Sequence, residues 1–176
     1  MVNIMSEEVR YAAGEAQLGR VIVGRLLPGT DLYEGISKIC DDYKIENGVI
    51  CQCIGSLRQA VFKFLIPNDK LKLGSGYGEP YKLSGPIEFC GGMGIVTKGE
   101  DGSRKIHFHG LFNQTTVEDG KAKPDFMLGG DFGVEKGQNR ILATMDLTIL
   151  EIKGLNIVRK YDDETEIPTR LDFEKA

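Results

Sequence analysis

Histidine is scarce in this chain: the 176 residues contain two, His107 and His109, both within "KIHFHGLF". A metal centre built here from one chain must therefore complete its ligand set with acids or thiols, since no third histidine exists in it. Cysteine is nearly as sparse. Cys40, Cys51, Cys53 and Cys90 would allow a disulfide framework in a secreted chain, but "MVNIMSEEVRYAAGE" puts acids where an export signal needs an apolar stretch. Their spacing does not match a zinc finger either. Apolar runs are short, and none approaches the roughly 18 residues of a membrane span. Together these absences predict a cytoplasmic protein with no membrane contact. Basic blocks are missing as well. The 22 basic and 26 acidic residues leave a net charge of −4 with Lys and Arg scattered, the wrong sign for holding phosphates by charge alone, so direct DNA binding by the isolated domain is not expected.

What the sequence does contain is a run of alternating patterns. After a polar lead-in (residues 1–18), "GRVIVGRLL" is β-branched enough to predict a strand closed by "PGT". One helix follows, with Asp31 as its cap, Glu34 three residues on, and Leu32, Ile36, Ile39 and Tyr43 at helical spacing, ending near "DYKIENG". From Gly48 the period becomes two. "GVICQCIGS", "RQAVFKFLI", "PYKLSG", "IEFCGGMGIVTKG", "RKIHFHGLF", "RILATMDLTILEI" and "LNIVRKYD" read as strands, separated by the turn chemistry of "GSGYGEP", "GEDGS" and "VEDGKAKPD". The glycines of "LGSGYGEP" lack both the spacing and the following helix of a phosphate loop. Cys51 and Cys53 alternate with Ile50, Gln52 and Ile54, which predicts that both thiols share the buried face of Val49. Residues 162–176, acidic, are expected as a loose surface tail, and residues 19–161 as one domain.

The expected fold class is α+β: a single domain with a curved, mostly antiparallel sheet or partial barrel of about seven or eight strands and one main helix. One helix cannot cover both faces of so many strands. A homo-oligomer is expected to cover what remains.

On a strand, side chains two apart point the same way, so His107 and His109 project together and Phe108 points away. A third ligand could complete a divalent metal site for zinc or a similar ion, and Asp131 in "LGGDFG" is the candidate. Its two preceding glycines let the backbone approach another strand and aim one short carboxylate. In such a site each imidazole should also donate its other N–H to a fixed acceptor. Glu88, in "GPIEFCGGMG", is a candidate nearby acid, and Arg58, in "IGSLRQA", a candidate anion contact for a small-molecule ligand. The same spacings also fit two histidines on a polar face without an ion, Asp131 as a turn residue, and Glu88 and Arg58 turned to solvent.

Taken in order, "LLPGTDLYEGISKICDDYKIENGVICQCIGSLRQA", "LSGPIEFCGGMG", "HFHG" and "LGGDFG" resemble the plants and prokaryotes conserved (PPC) domain over about Gly19 to Glu151. The resemblance implies an α+β homotrimer, and a His-x-His followed by Gly-Gly-His that gathers around a metal in several prokaryotic members. His107 and His109 match the first element. Asp131 stands where the third histidine would be. It also implies an association with DNA-binding proteins, because plant members carry the domain beside AT-hooks. No Arg-Gly-Arg-Pro core occurs here, and "GRVIVGRLL" has Gly-Arg twice inside a strand pattern without Pro. A more distant similarity of fold to acetolactate decarboxylase implies an alternative, a metal-dependent lyase or hydrolase on the two-His-one-carboxylate set. The main expectation is a regulatory or assembly module with a DNA-binding protein as partner.

Overall fold

The computed structural model describes residues 9–132 and 137–175. Its ten strands and one helix run β1 (Gln17–Leu26), α1 (Leu32–Asp42), β2 (Gly48–Phe62), β3 (Leu65–Pro67), β4 (Ser75–Tyr77), β5 (Tyr81–Gly99), β6 (Arg104–Glu118), β7 (Lys121–Asp131), β8 (Ile141–Lys153), β9 (Leu155–Asp162) and β10 (Ile167–Lys175). The count exceeds the expected seven or eight because three segments expected as turn, loop or tail carry strands. "VEDGKAKPD" is a hairpin at Asp119 and Gly120 that opens β7, not a loop, and "GSGYGEP" yields the short β4. Residues 162–176, expected as a loose tail, also give β10, which pairs antiparallel with β9.

One mixed sheet holds most of the chain, in the order β1-β8-β2-β5-β6-β7. Its neighbours are antiparallel except at the end of β5, where Lys98 and Gly99 pair parallel with Val158 and Arg159 of β9. The sheet does not close. It curls far enough, however, for Lys63, just past β2, to exchange two backbone hydrogen bonds with Asp131 at the end of β7 (3.0 and 3.1 Å). That bridge brings two distant parts of the sheet path together and sets the site described below.

The helix forms where its signals stand. Asp31 accepts a hydrogen bond from the Glu34 N–H (3.1 Å), and a second oxygen of the same carboxylate takes the Asn139 N–H (2.9 Å), tying the cap to the loop before β8. Leu32, Gly35, Ile36 and Cys40 are buried. Tyr43 is the C-cap rather than a stripe residue, and Asn47 turns the chain by bonding the Leu155 C=O and the Ile157 N–H.

The core lies on one face of the sheet. Phe108 and Phe112 of β6 join Phe62, Phe89 and Phe132, with Phe62 and Phe112 centroids 4.7 Å apart and nearly edge-on, and Phe112 and Phe132 5.4 Å apart. Each such ring contributes roughly 2 kcal/mol by burial and up to about 1 more from edge-to-face contact. Because Phe108 faces this cluster, strand alternation sends His107 and His109 to the opposite face.

The cysteine expectation holds for Cys53 and fails for Cys51, which is exposed. A bulge between Ile50 and Gln52 inserts one extra residue against β8, so Ile50 and Cys53 share the buried face and Cys51 is turned out. Cys90 is exposed at a second bulge, between Phe89 and Gly91.

Candidate metal centre

His107 and His109 lie two apart on β6, and β7 pairs so that Asp131 stands directly across from His109. All three therefore share one face. Ligand atoms of the three lie within 4.8 Å of one another, the one grouping of its kind among the described residues. The two Nε2 atoms are 2.9 Å apart, a hydrogen-bond separation; a tetrahedral ion with bonds near 2.0 to 2.1 Å needs about 3.3 Å, a small ring rotation away. Gly130 makes the approach feasible, since a Cβ there would sit 2.9 Å from the Lys63 carbonyl that Asp131 bonds.

The electrostatics suit neutral nitrogen ligands. His107 is half-buried, and its pKa is lowered first by burial and then by the Arg159 guanidinium, with the Asp131 charge opposing. Tyr77 of β4 hydrogen-bonds Asp131, and its own pKa is raised by burial and by that carboxylate. The donor set thus fits a divalent ion in kind: two imidazoles, one of them with its charged form disfavoured, and a carboxylate.

One contact departs from expectation. Among the described residues the partner of the other nitrogen of His107, Nδ1, is no acceptor: it is the Arg159 Nη2 at 3.4 Å, and a guanidinium can only donate. In that arrangement His107 carries its proton on Nε2, the atom an ion would need. Ligation through Nε2 moves the proton to Nδ1 and sets two donors face to face.

Neither Glu88 nor Arg58 is brought to the site. Glu88 pairs with Asn113, four residues along β6 from His109, so it lies about 13 Å away along the strand, with its side chain in solvent. Arg58 is exposed, its backbone N–H bonded to the Arg140 carbonyl (2.7 Å) near the start of β8. The cation and the phenol that do reach the site, Arg159 and Tyr77, were not singled out by the sequence. Arg159 had a signal: in "LNIVRKYD" it shares strand parity with the buried Leu155 and Ile157, a charge on an apolar face. Tyr77 had none, being set in a glycine-rich turn.

A cavity of about 600 Å³ opens beside the centre, with His109, Asp131, Lys63 and Tyr77 in its wall. Around it the same sheet face carries exposed apolar side chains: Ile54, Met93, Leu111 and Met127 are 42 to 67% exposed. No described helix is long and apolar enough to cross a membrane.

Solved structures share this fold. A metal-containing protein from Archaeoglobus fulgidus superposes with a TM-score of 0.71 at 22% identity, covering 92% of this chain and 100% of the other. A plant- and prokaryote-conserved protein from Pyrococcus horikoshii gives 0.68 at 22% identity, over 91% and 97% of the two chains. A candidate DNA-binding protein from Bacteroides thetaiotaomicron gives 0.61 at 15%, over 91% and 99%. No curated protein matches the sequence. Residues 13–120, which include both histidines and stop short of Asp131, match the family model of the Plants and Prokaryotes Conserved domain, and the chain belongs to that PCC family.

Proposed function

We propose that this PCC-domain protein is a metal-holding assembly module: His107, His109 and Asp131 bind a divalent ion, zinc or similar, and the surrounding apolar face packs against further copies in a homotrimer. The observation that carries the metal reading is the convergence of the three donors within 4.8 Å on one sheet face. When bound, the ion would act as a Lewis acid and as a cross-link between β6 and β7. The test is metal analysis of protein equilibrated with zinc and then desalted. About one zinc per chain is expected, falling to background in His109→Ala; wild-type metal content in that variant overturns the assignment.

The trimer rests on Ile54, Met93, Leu111 and Met127, which line up across β2, β5, β6 and β7 on the face opposite the core. Light scattering of the full chain should give three times the chain mass, and Leu111→Glu should dissociate it; a monomer at micromolar concentration sinks the claim. Regulation would then run through a DNA-binding protein partner. The chain itself, at net charge −4, should show no submicromolar DNA affinity by fluorescence anisotropy near physiological salt, and a tight isotherm there refutes this.

The cavity of about 600 Å³ beside His109 and Asp131 favours a second reading, a metal-dependent lyase or hydrolase, with the ion polarising a carbonyl or activating water. A zinc-dependent turnover of simple ester or β-keto-acid substrates that disappears in His109→Ala would select it over the assembly module.

A further inference from the structure

His107, unlike His109, lines a second cavity, open to solvent and of about 310 Å³, with walls from α1, β4, β6, β7, β9, β10 and the residue after β2. We propose that this cavity binds a small organic acid, its carboxylate held on the guanidinium edge of Arg159 beside His107.

Charge is the first argument. Three cations, Arg159, Lys63 and Lys105, line the cavity against one carboxylate, that of Asp131. Lys63 forms no ion pair with any described residue, and the partner of Lys105, Asp101, is a surface contact at 3.7 Å. An anion would answer a local excess of positive charge among the described residues lining the cavity.

Hydrogen-bond capacity is the second. Of the donors on Arg159, Nη1 bonds the Pro168 carbonyl at 3.1 Å, Nη2 makes the long 3.4 Å contact with His107, and Nε is buried with no partner. The Nε and Nη2 side of a guanidinium takes a carboxylate by two parallel bonds. Arg20 uses that very edge on Glu151 in this protein, at 2.9 and 2.8 Å. On Arg159 the same edge carries only the long Nη2 contact to His107, and its Nε has no partner among the described residues. A modest turn of the side chain would expose Nε to a ligand oxygen.

Size and lining give the ligand class. A bare ion or a water needs only about 30 Å³, whereas small-molecule sites begin near 300 Å³. The remaining wall is largely apolar, with Ile106, Ile167, Pro168 and Tyr33, so the space beyond Arg159 suits a short carbon skeleton rather than a second hydrated charge. A further point rests on the metal reading above: once Nε2 of His107 ligates an ion, its Nδ1–H and Arg159 are both donors, and a carboxylate accepting from both supplies the acceptor that a ligating imidazole ordinarily has. The first three arguments stand without the metal.

The experiment is calorimetric titration of acetate, malonate, succinate and inorganic phosphate into chelator-treated full chain, with zinc titrated separately. At least one carboxylate should bind the metal-free protein, and Arg159→Ala should weaken it about tenfold or more. Arg159→Lys keeps the charge but not the fork and should weaken it comparably, with circular dichroism and melting showing both variants folded. His109→Ala should lose zinc and keep the carboxylate. The proposal is overturned if no carboxylate binds at millimolar concentration, if Arg159→Ala and Arg159→Lys bind like wild type, if binding disappears with His109→Ala or chelation, or if phosphate binds as well as every carboxylate. Carboxylate binding without zinc binding in wild type would sink the metal reading alone and leave this one standing.

Discussion

Glu151, buried on β8, offers the sharpest quantitative test of the packing described above. Its carboxylate takes two side-chain bonds from Arg20 (2.8 and 2.9 Å) and one from the Arg20 backbone N–H (3.0 Å), while Arg20 also bonds the Tyr43 carbonyl at the end of α1 (2.6 Å). The pair therefore joins β1, α1 and β8. Hydrogen bonds from the Arg20 side chain, then from its backbone, hold Glu151 at a pKa of about 2 against an ordinary 4.5. That difference corresponds to about 3 kcal/mol at most. Arg20 is 49% exposed along its side chain, so solvent screens the interaction and about 1 to 2 kcal/mol is the expected cost of Glu151→Gln at pH 7. The sign follows from the depressed pKa. The wild-type advantage is fully present above the unfolded-state value of 4.5 and is lost as pH falls toward about 2, where the carboxyl protonates in the folded state too. Urea unfolding of both proteins at a series of pH values between about 7 and 2 measures the difference, and the acid sensitivity common to both cancels. Equal stability at pH 7, or a gap that widens on acidification, would refute the reasoning.

Zinc at about 100 times its dissociation constant should stabilise wild type by about 2.7 kcal/mol, a melting rise of roughly 5 to 11 °C, and a full rise retained in His107→Ala would contradict the ligand set. Burial and Arg159 lower the His107 pKa and so favour its neutral form, and because protons compete with the ion for the imidazoles the zinc shift should shrink on acidification; a shift that grows on acidification has the wrong sign. Gly94→Ala places a Cβ 2.3 Å from the His107 carbonyl, so β6 must move: a loss of about 1 to 3 kcal/mol is expected, with weaker zinc binding, and unchanged affinity would show that the strand yields elsewhere. Iodoacetamide followed by mass spectrometry should modify Cys51 and Cys90 in the folded protein and spare Cys40 and Cys53, whose thiols burial pushes up to about 11 and 12; early labelling of Cys53 would mean that the bulge is misplaced.

The local features that sequence alone determined are those whose causes lie within a few residues. The Asp31 cap, the α1 stripe, the alternation that turns His107 and His109 outward together, and the need for a close approach before Asp131 follow from side-chain period, hydrogen-bonding capacity and the missing Cβ of glycine. Three kinds of fact needed the tertiary structure. Bulges were invisible because one extra residue reverses the parity of a strand without altering its composition, and so Cys51 went to solvent. The residues gathered around His107 come from β4, β9 and β10, far apart in the chain. Only the curl of the sheet and the parallel pairing of β9 with β5 bring Tyr77, Arg159 and the supposed tail to the histidines and leave Glu88 about 13 Å along the strand. The sequence could name donors sharing a strand face, but the choice between Glu88 and Arg159 as neighbours depended on strand register, which is a property of which strands meet and not of what either strand contains.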